Sequence, residues 1–119
     1  MKDDQTFDKT IRTLSVRQPY AEEIMRGIKK EEYRSIPTNV RGRVYIYASN
    51  TLADEAPIDS KTKNEDLPRG VIIGSVEIID CYGSKEEGYA WPLANPQRLV
   101  QLVKPVKKPQ PVWFYPFER

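Results

Sequence analysis

Alternation of apolar and polar residues dominates the chain and predicts short strands separated by turns. Residues 10–18 carry spaced apolar side chains and predict a first strand that leads into a turn. Residues 43–49 alternate strictly, so their aliphatic side chains are expected on one face and their two tyrosines on the other. Residues 70–83 predict another long strand, in which Gly74 permits a bulge or bend.

The spacing of apolar residues departs from strand alternation at residues 18–27, where the pattern is typical of a short helix. Pro19 stands where the first helical residue belongs, and Glu22 lies in the first turns near the positive end of the helix dipole. Gly27 is expected to end the helix in a left-handed conformation. After Gly27 an extended strand is predicted, with Lys29 and Glu32 on opposite sides of it.

The rest of the chain is less regular. The polar segment 49–69 is interpreted as a short helix near residues 51–56 followed by a mobile loop. Beyond residue 87 we expect a short strand at 89–93, a turn at 95–97, a strand at 98–106 and an aromatic strand at 111–117. Strands and helices do not alternate regularly, so a doubly wound parallel sheet is disfavoured. The fold class indicated is α+β, mainly β: a small, partly open β-barrel of five or six strands with one or two short helices.

Composition limits the classes of protein that fit. With 119 residues, 39% hydrophobic and 30% charged, the chain is expected to be one domain at residues 11–119 behind a flexible N-terminal tail at 1–10. No apolar run approaches the roughly 20 residues of a membrane helix, and the N-terminus lacks the apolar region of a secretion signal. A lone cysteine, Cys81, favours a reducing cytoplasm.

The chain has no histidine, which removes several kinds of chemistry. Nucleophiles activated by histidine are excluded, and so is a zinc site of the usual kind. Any acid, base or nucleophile must come from Lys, Asp, Glu, Tyr or Cys, and carboxylate-bound magnesium stays compatible with the sequence. We predict no cofactor, no zinc and no membrane partner, and the oligomeric state stays open.

Charge is distributed unevenly although the net charge is only +2. Residues 9–43 contain nine basic and four acidic side chains, whereas residues 54–87 contain nine acidic and four basic ones. A basic N-terminal third is what a phosphate-binding surface needs.

The segment GIKKEEYR, residues 27–34, is dense in charged residues. Glu32 and Arg34 lie two apart on one face of a strand, where they form either an ordinary surface ion pair or part of a cleft that engages an anion through Lys29 and Arg34. Just before the helix, Arg17 and Gln18 are placed to bind a ligand, and the alternative is that Gln18 and Ser15 only complete the first turn. Trp91 offers either core packing or a stacking surface.

These segments together resemble the ASCH domain, the activating-signal-cointegrator homology family. Its G-x-K-x-x-E-x-R motif is matched by Gly27, Lys29, Glu32 and Arg34. Its flanking features are similar to further residues of this chain: Gln18, Pro19, Tyr20, Ala21, Arg41, Gly42, Ala48, Ser49, Trp91, Leu93, Asn95 and Pro96.

The resemblance implies a PUA-like β-barrel with a cleft lined by the motif, and binding of RNA, single-stranded nucleic acid or a modified nucleotide. The residues expected to contact it are Arg17, Gln18, Lys29, Glu32, Arg34, Arg41, Ser49 and Trp91, with the cations on phosphates and Glu32 and Gln18 on base or sugar edges. Some family members deacylate N4-acetylcytidine with the motif lysine and a threonine where this chain has Glu32, and ribonuclease activity is also linked to the family. An enzyme using Lys29 and Glu32 is therefore the alternative, and an interaction adaptor using residues 107–117 is a third hypothesis.

Overall fold

The computed structural model describes residues 8–110 and 112–116. Within them lie seven strands and one α-helix: β1 Thr13–Gln18, α1 Tyr20–Met25, β2 Glu31–Arg34, β3 Gly42–Leu52, β4 Val71–Ile78, β5 Tyr82–Ser84, β6 Gly88–Val103 and β7 Trp113–Phe114. A 3-10 helix covers Asn64–Asp66 between β3 and β4. No helix in this described part of the chain is long and apolar enough to cross a membrane.

The strands form one curled sheet in the order β2-β6-β4-β3-β1-β7, and β5 pairs with the first residues of β6 on the side opposite β2. Only the β1–β3 pair is parallel among the pairs of the described strands, and the others are antiparallel. The prediction of a mainly β, α+β fold that forms a small PUA-like barrel is confirmed. The described residues contain seven strands, one or two more than expected, and one reason is that the long strand predicted at 70–83 ends at Ile78 and is followed by the separate short strand β5.

Because side chains alternate along β3, its two faces pack in two separate apolar clusters. Val44, Ile46 and Ala48 pack in the larger cluster, together with Leu14 and Ile24. The tyrosines of β3, Tyr45 and Tyr47, face the other side and pack with Ile72 and Phe114. The strand period of two thus places both faces as predicted.

The helix is nearly where the sequence predicts it. It begins at Tyr20, one residue later than expected, with Pro19 as its N-cap, and Gly27 adopts the left-handed conformation with φ 75°. Ile24 and Met25 bury their side chains against the sheet.

Glu22 fastens α1 to β6. Its carboxylate accepts hydrogen bonds from the Arg98 guanidinium at 3.0 and 2.6 Å and from Arg26 Nε at 2.8 Å. Burial alone would raise the pKa of Glu22, but the hydrogen bonds from Arg98 and Arg26 outweigh it and lower that pKa below its ordinary value. Arg26 continues the chain of contacts to Asp59 at 3.0 Å, so the loop after β3 is tied to the helix.

The predictions for residues 51–56 and 95–97 were wrong. Residues 51–56 form no helix, because β3 continues to Leu52 and the chain then turns without regular structure until the 3-10 helix. The predicted turn at 95–97 does not end a strand either. One strand, β6, runs through it, and Asn95 takes a positive φ of 53° at a point where the pairing with β4 shifts register.

The bulge predicted at Gly74 is confirmed by register shifts beside it in both pairings of β4. A Cβ at this position would collide with the carbonyl oxygen of Gln97 and the sulfur of Met25, so the close approach requires glycine. Of the predicted N-terminal tail, residues 1–7 lie outside the described residues, and Asp8 donates its backbone N–H to the Tyr45 hydroxyl at 2.8 Å. Residues 111 and 117 of the predicted terminal strand also lie outside them.

Candidate functional site

A cleft of about 1050 Å³ opens where β1, the start of α1, β2 and the end of β3 meet. Its walls combine cationic, polar and aromatic side chains: Ser15, Val16, Arg17, Tyr20, Lys29, Glu32, Tyr33, Arg34, Tyr47, Ser49, Asn50, Thr51, Lys108, Pro109 and Gln110. Five of the eight residues predicted from sequence are among them. The cleft is therefore the place in the fold where most of the predicted residues converge.

An ion triad forms part of the cleft wall. Glu32 Oε2 lies 2.6 Å from Arg34 Nη2 and accepts a hydrogen bond from Arg34 Nε at 2.7 Å. Its other oxygen, Oε1, lies 3.7 Å from Lys29 Nζ. The Glu32 side chain is only 7% exposed, so its charge is buried between two cations, which is how a protein tolerates a buried carboxylate.

Local backbone structure explains how Lys29 reaches Glu32. After Gly27 the backbone N–H groups of Ile28 and Lys29 both donate to the carbonyl oxygen of Glu23, at 2.9 and 3.1 Å. Lys29 therefore precedes β2 and is held against the end of α1. The expectation that Lys29 and Glu32 lie on opposite sides of one strand was wrong, because strand alternation begins only at Glu31.

Aromatic rings surround the ammonium group of Lys29. Its Nζ lies 5.1 Å from the centroid of the Tyr20 ring and 4.8 Å from that of Tyr33, both within the range of cation–π attraction. Together with Glu32 these rings restrict the ammonium to one region of the cleft. Burial raises the pKa of Tyr20, and the charge of Glu55 raises it further, so the phenol is a neutral hydrogen-bond donor and acceptor at neutral pH.

Arg34 is held from three sides. Besides Glu32, its Nη2 donates to the carbonyl oxygen of Ser15 at 2.8 Å, and its guanidinium lies 5.8 Å from the Trp91 ring centroid. Trp91 is fully buried, donates its indole N–H to the carbonyl oxygen of Ile36 at 3.3 Å, and stacks on Trp113 with 5.8 Å between centroids. The structure thus places Trp91 behind Arg34 as core packing, where no base can stack on it.

Two other predicted residues lie away from the cleft. Gln18 is fully buried, where its amide donates to the carbonyl oxygen of Pro68 at 2.8 Å and accepts the backbone N–H of Glu22 at 2.9 Å. These bonds fasten the start of α1 to the loop before β4, which is the structural alternative considered from sequence. Arg41 donates to the carbonyl oxygens of Thr38 and Val40, both at 2.9 Å, and borders a smaller hollow of about 400 Å³.

The remaining predicted residues, Arg17 and Ser49, do line the cleft, and Arg17 is exposed. Residues that sequence reasoning missed lie beside them, including Tyr20, Tyr33, Asn50, Thr51 and Lys108. Tyr20 and Tyr33 flank the motif directly, so their positions were the available signal. Nothing local marks Lys108, which reaches the cleft only because the chain returns to pair β7 with β1.

The described residues offer no cluster of three or more Cys, Asp or Glu side chains that could hold a metal ion. The arrangement suits polar ligands with negative charge: cations and hydroxyl groups surround one buried carboxylate, and tyrosine rings provide flat surfaces. Fold and cleft together define a small, mainly β binding domain.

Comparison with known proteins gives the family. The family model for the ASCH domain matches residues 14–110, so the chain belongs to the ASCH domain family. The chain is also similar to "Activating signal cointegrator 1" of Homo sapiens, with 30% identity over 125 aligned positions that cover 84% of this chain and 21% of the relative. The mouse protein of the same name is 29% identical over the same shares. The chain thus spans about a fifth of the length of these curated relatives.

Proposed function

We propose that this domain binds single-stranded nucleic acid, RNA in particular, or a modified nucleotide in the cleft around Lys29, Glu32 and Arg34. The observation that carries the proposal is the ion triad: a buried carboxylate with one oxygen directed to a lysine, in a cleft lined by further cations and tyrosine rings. Membership of the ASCH family and similarity to a protein named as a signal cointegrator agree with a nucleic-acid ligand.

Phosphate binding is assigned to Lys29, Arg17 and Lys108. Arg17 and Lys108 are exposed cations at the cleft, and Lys29 presents an ammonium group with three donors. Arg34 has a different role from the phosphate contact expected from sequence. Because its guanidinium is bonded to Glu32 and Ser15, it orients the carboxylate and offsets its charge.

Recognition of a base or sugar is assigned to Glu32. An ionised carboxylate only accepts hydrogen bonds, and Oε2 already receives those of Arg34. Oε1 retains capacity to accept an N–H from a base edge or a ribose hydroxyl, the kind of contact through which proteins read single-stranded RNA. The cleft volume of about 1050 Å³ is at the upper end of small-ligand sites, so it has room for a nucleotide together with part of its neighbour.

A titration with a fluorescently labelled single-stranded decanucleotide, followed by anisotropy, tests the proposal. Lys29→Ala should weaken binding by about fivefold or more and reduce the slope of log K against log salt by about 0.7, the contribution of one phosphate contact to a single strand. Lys61→Ala is the matched control, because Lys61 is an exposed lysine outside the cleft residues. Equal losses in both variants, or no binding by the wild type, would contradict the proposal.

The Lys29–Glu32 pair also favours a second candidate function, hydrolysis of an acylated nucleoside. An ammonium and a carboxylate 3.7 Å apart in a cleft provide a donor and an acceptor for proton transfer to a leaving amine. This enzyme would release acetate from N4-acetylcytidine, and Lys29→Arg would abolish turnover. Absence of acetate release by the wild type, measured by chromatography, would eliminate it.

A further inference from the structure

We propose that Tyr33, at the rim of the cleft, and Tyr82, beyond it, form a nucleobase-stacking platform, which takes the base that follows the nucleotide bound at Lys29 and Glu32. This platform rests on the proposed function, because it extends the same ligand path. It adds a contact site on β5, a strand that contributes no residue to the cleft.

Strand register brings the two tyrosines together. Tyr33 of β2 and Tyr82 of β5 are both direct partners of Ala90 in β6, one from each side. Residues opposite one another in an antiparallel sheet project to the same face, and neighbouring strands lie about 4.8 Å apart. The two tyrosine Cα atoms are therefore about 10 Å apart on one face, with a small alanine between them.

Both rings are exposed although they are large. Tyr33 is 64% and Tyr82 is 52% exposed, whereas Tyr45 and Tyr47 of β3 are 7% and 5% exposed. The platform tyrosines therefore contribute little to core packing and leave ring surface open to a ligand. Aromatic side chains that stack bases in single-strand binding proteins need such open surface.

One carboxylate holds both phenols. Glu31 Oε1 accepts the hydroxyl of Tyr33 at 2.8 Å, and Glu31 Oε2 accepts the hydroxyl of Tyr82. Hydrogen bonds from Tyr82 and then from Tyr33 lower the pKa of Glu31, so it is ionised at neutral pH. A shared acceptor limits the movement of both rings, which reduces the entropy lost when a base stacks on them.

The negative charge of Glu31 favours bases over phosphates at the platform, whereas the positive charge of Lys29 favours phosphates in the cleft. The ionised Glu31 carboxylate lies between the two phenol hydroxyl groups and repels phosphate, while its oxygens accept N–H groups from a base. Lys29 lies 4.8 Å from the Tyr33 ring centroid at the cleft side of the platform. A strand whose phosphate is held by Lys29 therefore meets Tyr33 first and Tyr82 next.

The test compares ligands that reach the platform with one that does not. Calorimetry would measure the binding of three ligands: adenosine monophosphate, the trinucleotide AAA, and AAA with its terminal bases removed. Each ligand would be titrated into wild type, Tyr82→Ala and Tyr82→Phe. Stacking of one base contributes about 1–3 kcal/mol. Loss of the Tyr82 ring should therefore weaken AAA binding by about fivefold to 150-fold and leave the monophosphate unchanged.

The controls separate the ring from other effects. Tyr82→Phe keeps the ring and should bind AAA within about twofold of wild type. Val100→Ala removes an exposed apolar side chain, 78% exposed, from the region of β6 beyond β2 and should change nothing. The trinucleotide without terminal bases should bind wild type and Tyr82→Ala equally.

The outcomes distinguish this inference from the proposed function. Equal binding of AAA by wild type and Tyr82→Ala, while Lys29→Ala loses affinity for the monophosphate, would overturn the platform and leave the cleft assignment intact. No binding of any of the three ligands by the wild type would overturn both.

Discussion

Glu22 provides a quantitative test of how the helix beside the cleft is held. The variant Glu22→Gln keeps the shape of the side chain and removes its charge, so the hydrogen bonds from Arg98 and Arg26 lose their charged acceptor. Glu22 itself is 6% exposed, but the side chains of Arg98 and Arg26 are 50% and 32% exposed. Both arginines can therefore regain water when the carboxylate is lost.

The expected cost follows from that exposure. Breaking a fully buried ion pair costs about 3–5 kcal/mol, and exposed pairs contribute about 0–1 kcal/mol each. A buried carboxylate with two partly exposed partners lies between these limits, at about 1–3 kcal/mol. This is a substantial part of the roughly 5–15 kcal/mol by which small domains are stable.

Urea denaturation at several pH values measures the effect. The folded-state pKa of Glu22 is lowered from its ordinary 4.5, so its stabilisation is fully present above that value and is lost as the pH falls through the folded pKa. Wild type should be more stable than Glu22→Gln at pH 7, and the difference should shrink below about pH 4.5. Glu23→Gln, on the same helix, is the control. A difference below about 0.5 kcal/mol at pH 7, or one independent of pH, would refute the reasoning.

Three further substitutions probe the packing around the cleft. Trp91→Ala should destabilise the fold by about 3–5 kcal/mol, because the ring is fully buried against Trp113, and unchanged stability in urea would contradict its core position. Gly74→Ala should lower the free energy of unfolding by about 1–3 kcal/mol, since the new Cβ collides with β6 and Met25. A thermal melt that matches wild type would show that the bulge relaxes freely. Gln18→Ala should lower the free energy of unfolding by about 1–3 kcal/mol, because it leaves the Glu22 N–H and the Pro68 carbonyl oxygen without their partner. A loss of ligand affinity with unchanged stability would instead place Gln18 in ligand binding.

Local patterns predicted the elements that have a strong period or a clear end signal. The two-residue alternation of β3 gave both of its faces, and Pro19 and Gly27 marked the ends of α1 within one residue. Asn95 and Pro96 are typical of turns, so a turn was predicted there. In the structure, a bulge opposite β4 allows one strand to continue through both residues. Turn residues alone do not distinguish an end of a strand from a bulge within it.

Only part of the cleft could be predicted from the sequence, because only some of its residues are close together along the chain. Lys29, Glu32 and Arg34 are close in sequence, so their meeting required only a local turn and a short strand. The burial of Trp91 depends on Trp113, which is 22 residues away and reaches it through the pairing of β7 with β1. Sequence periodicity carries no information on such distant contacts, so Trp91 could not be distinguished as core or surface.

The assignment of the cleft as a single-strand binding site is tested most directly by mapping where a ligand contacts the domain. We would titrate the ¹⁵N-labelled protein with AAA and follow backbone amide shifts by nuclear magnetic resonance. We expect the largest changes at the amides of Arg17, Lys29 to Arg34, Ser49 to Thr51 and Lys108, and a further change at Tyr82. Changes that cluster at the hollow around Arg12 and Arg41 and leave Lys29 and Glu32 unaffected would contradict the assignment.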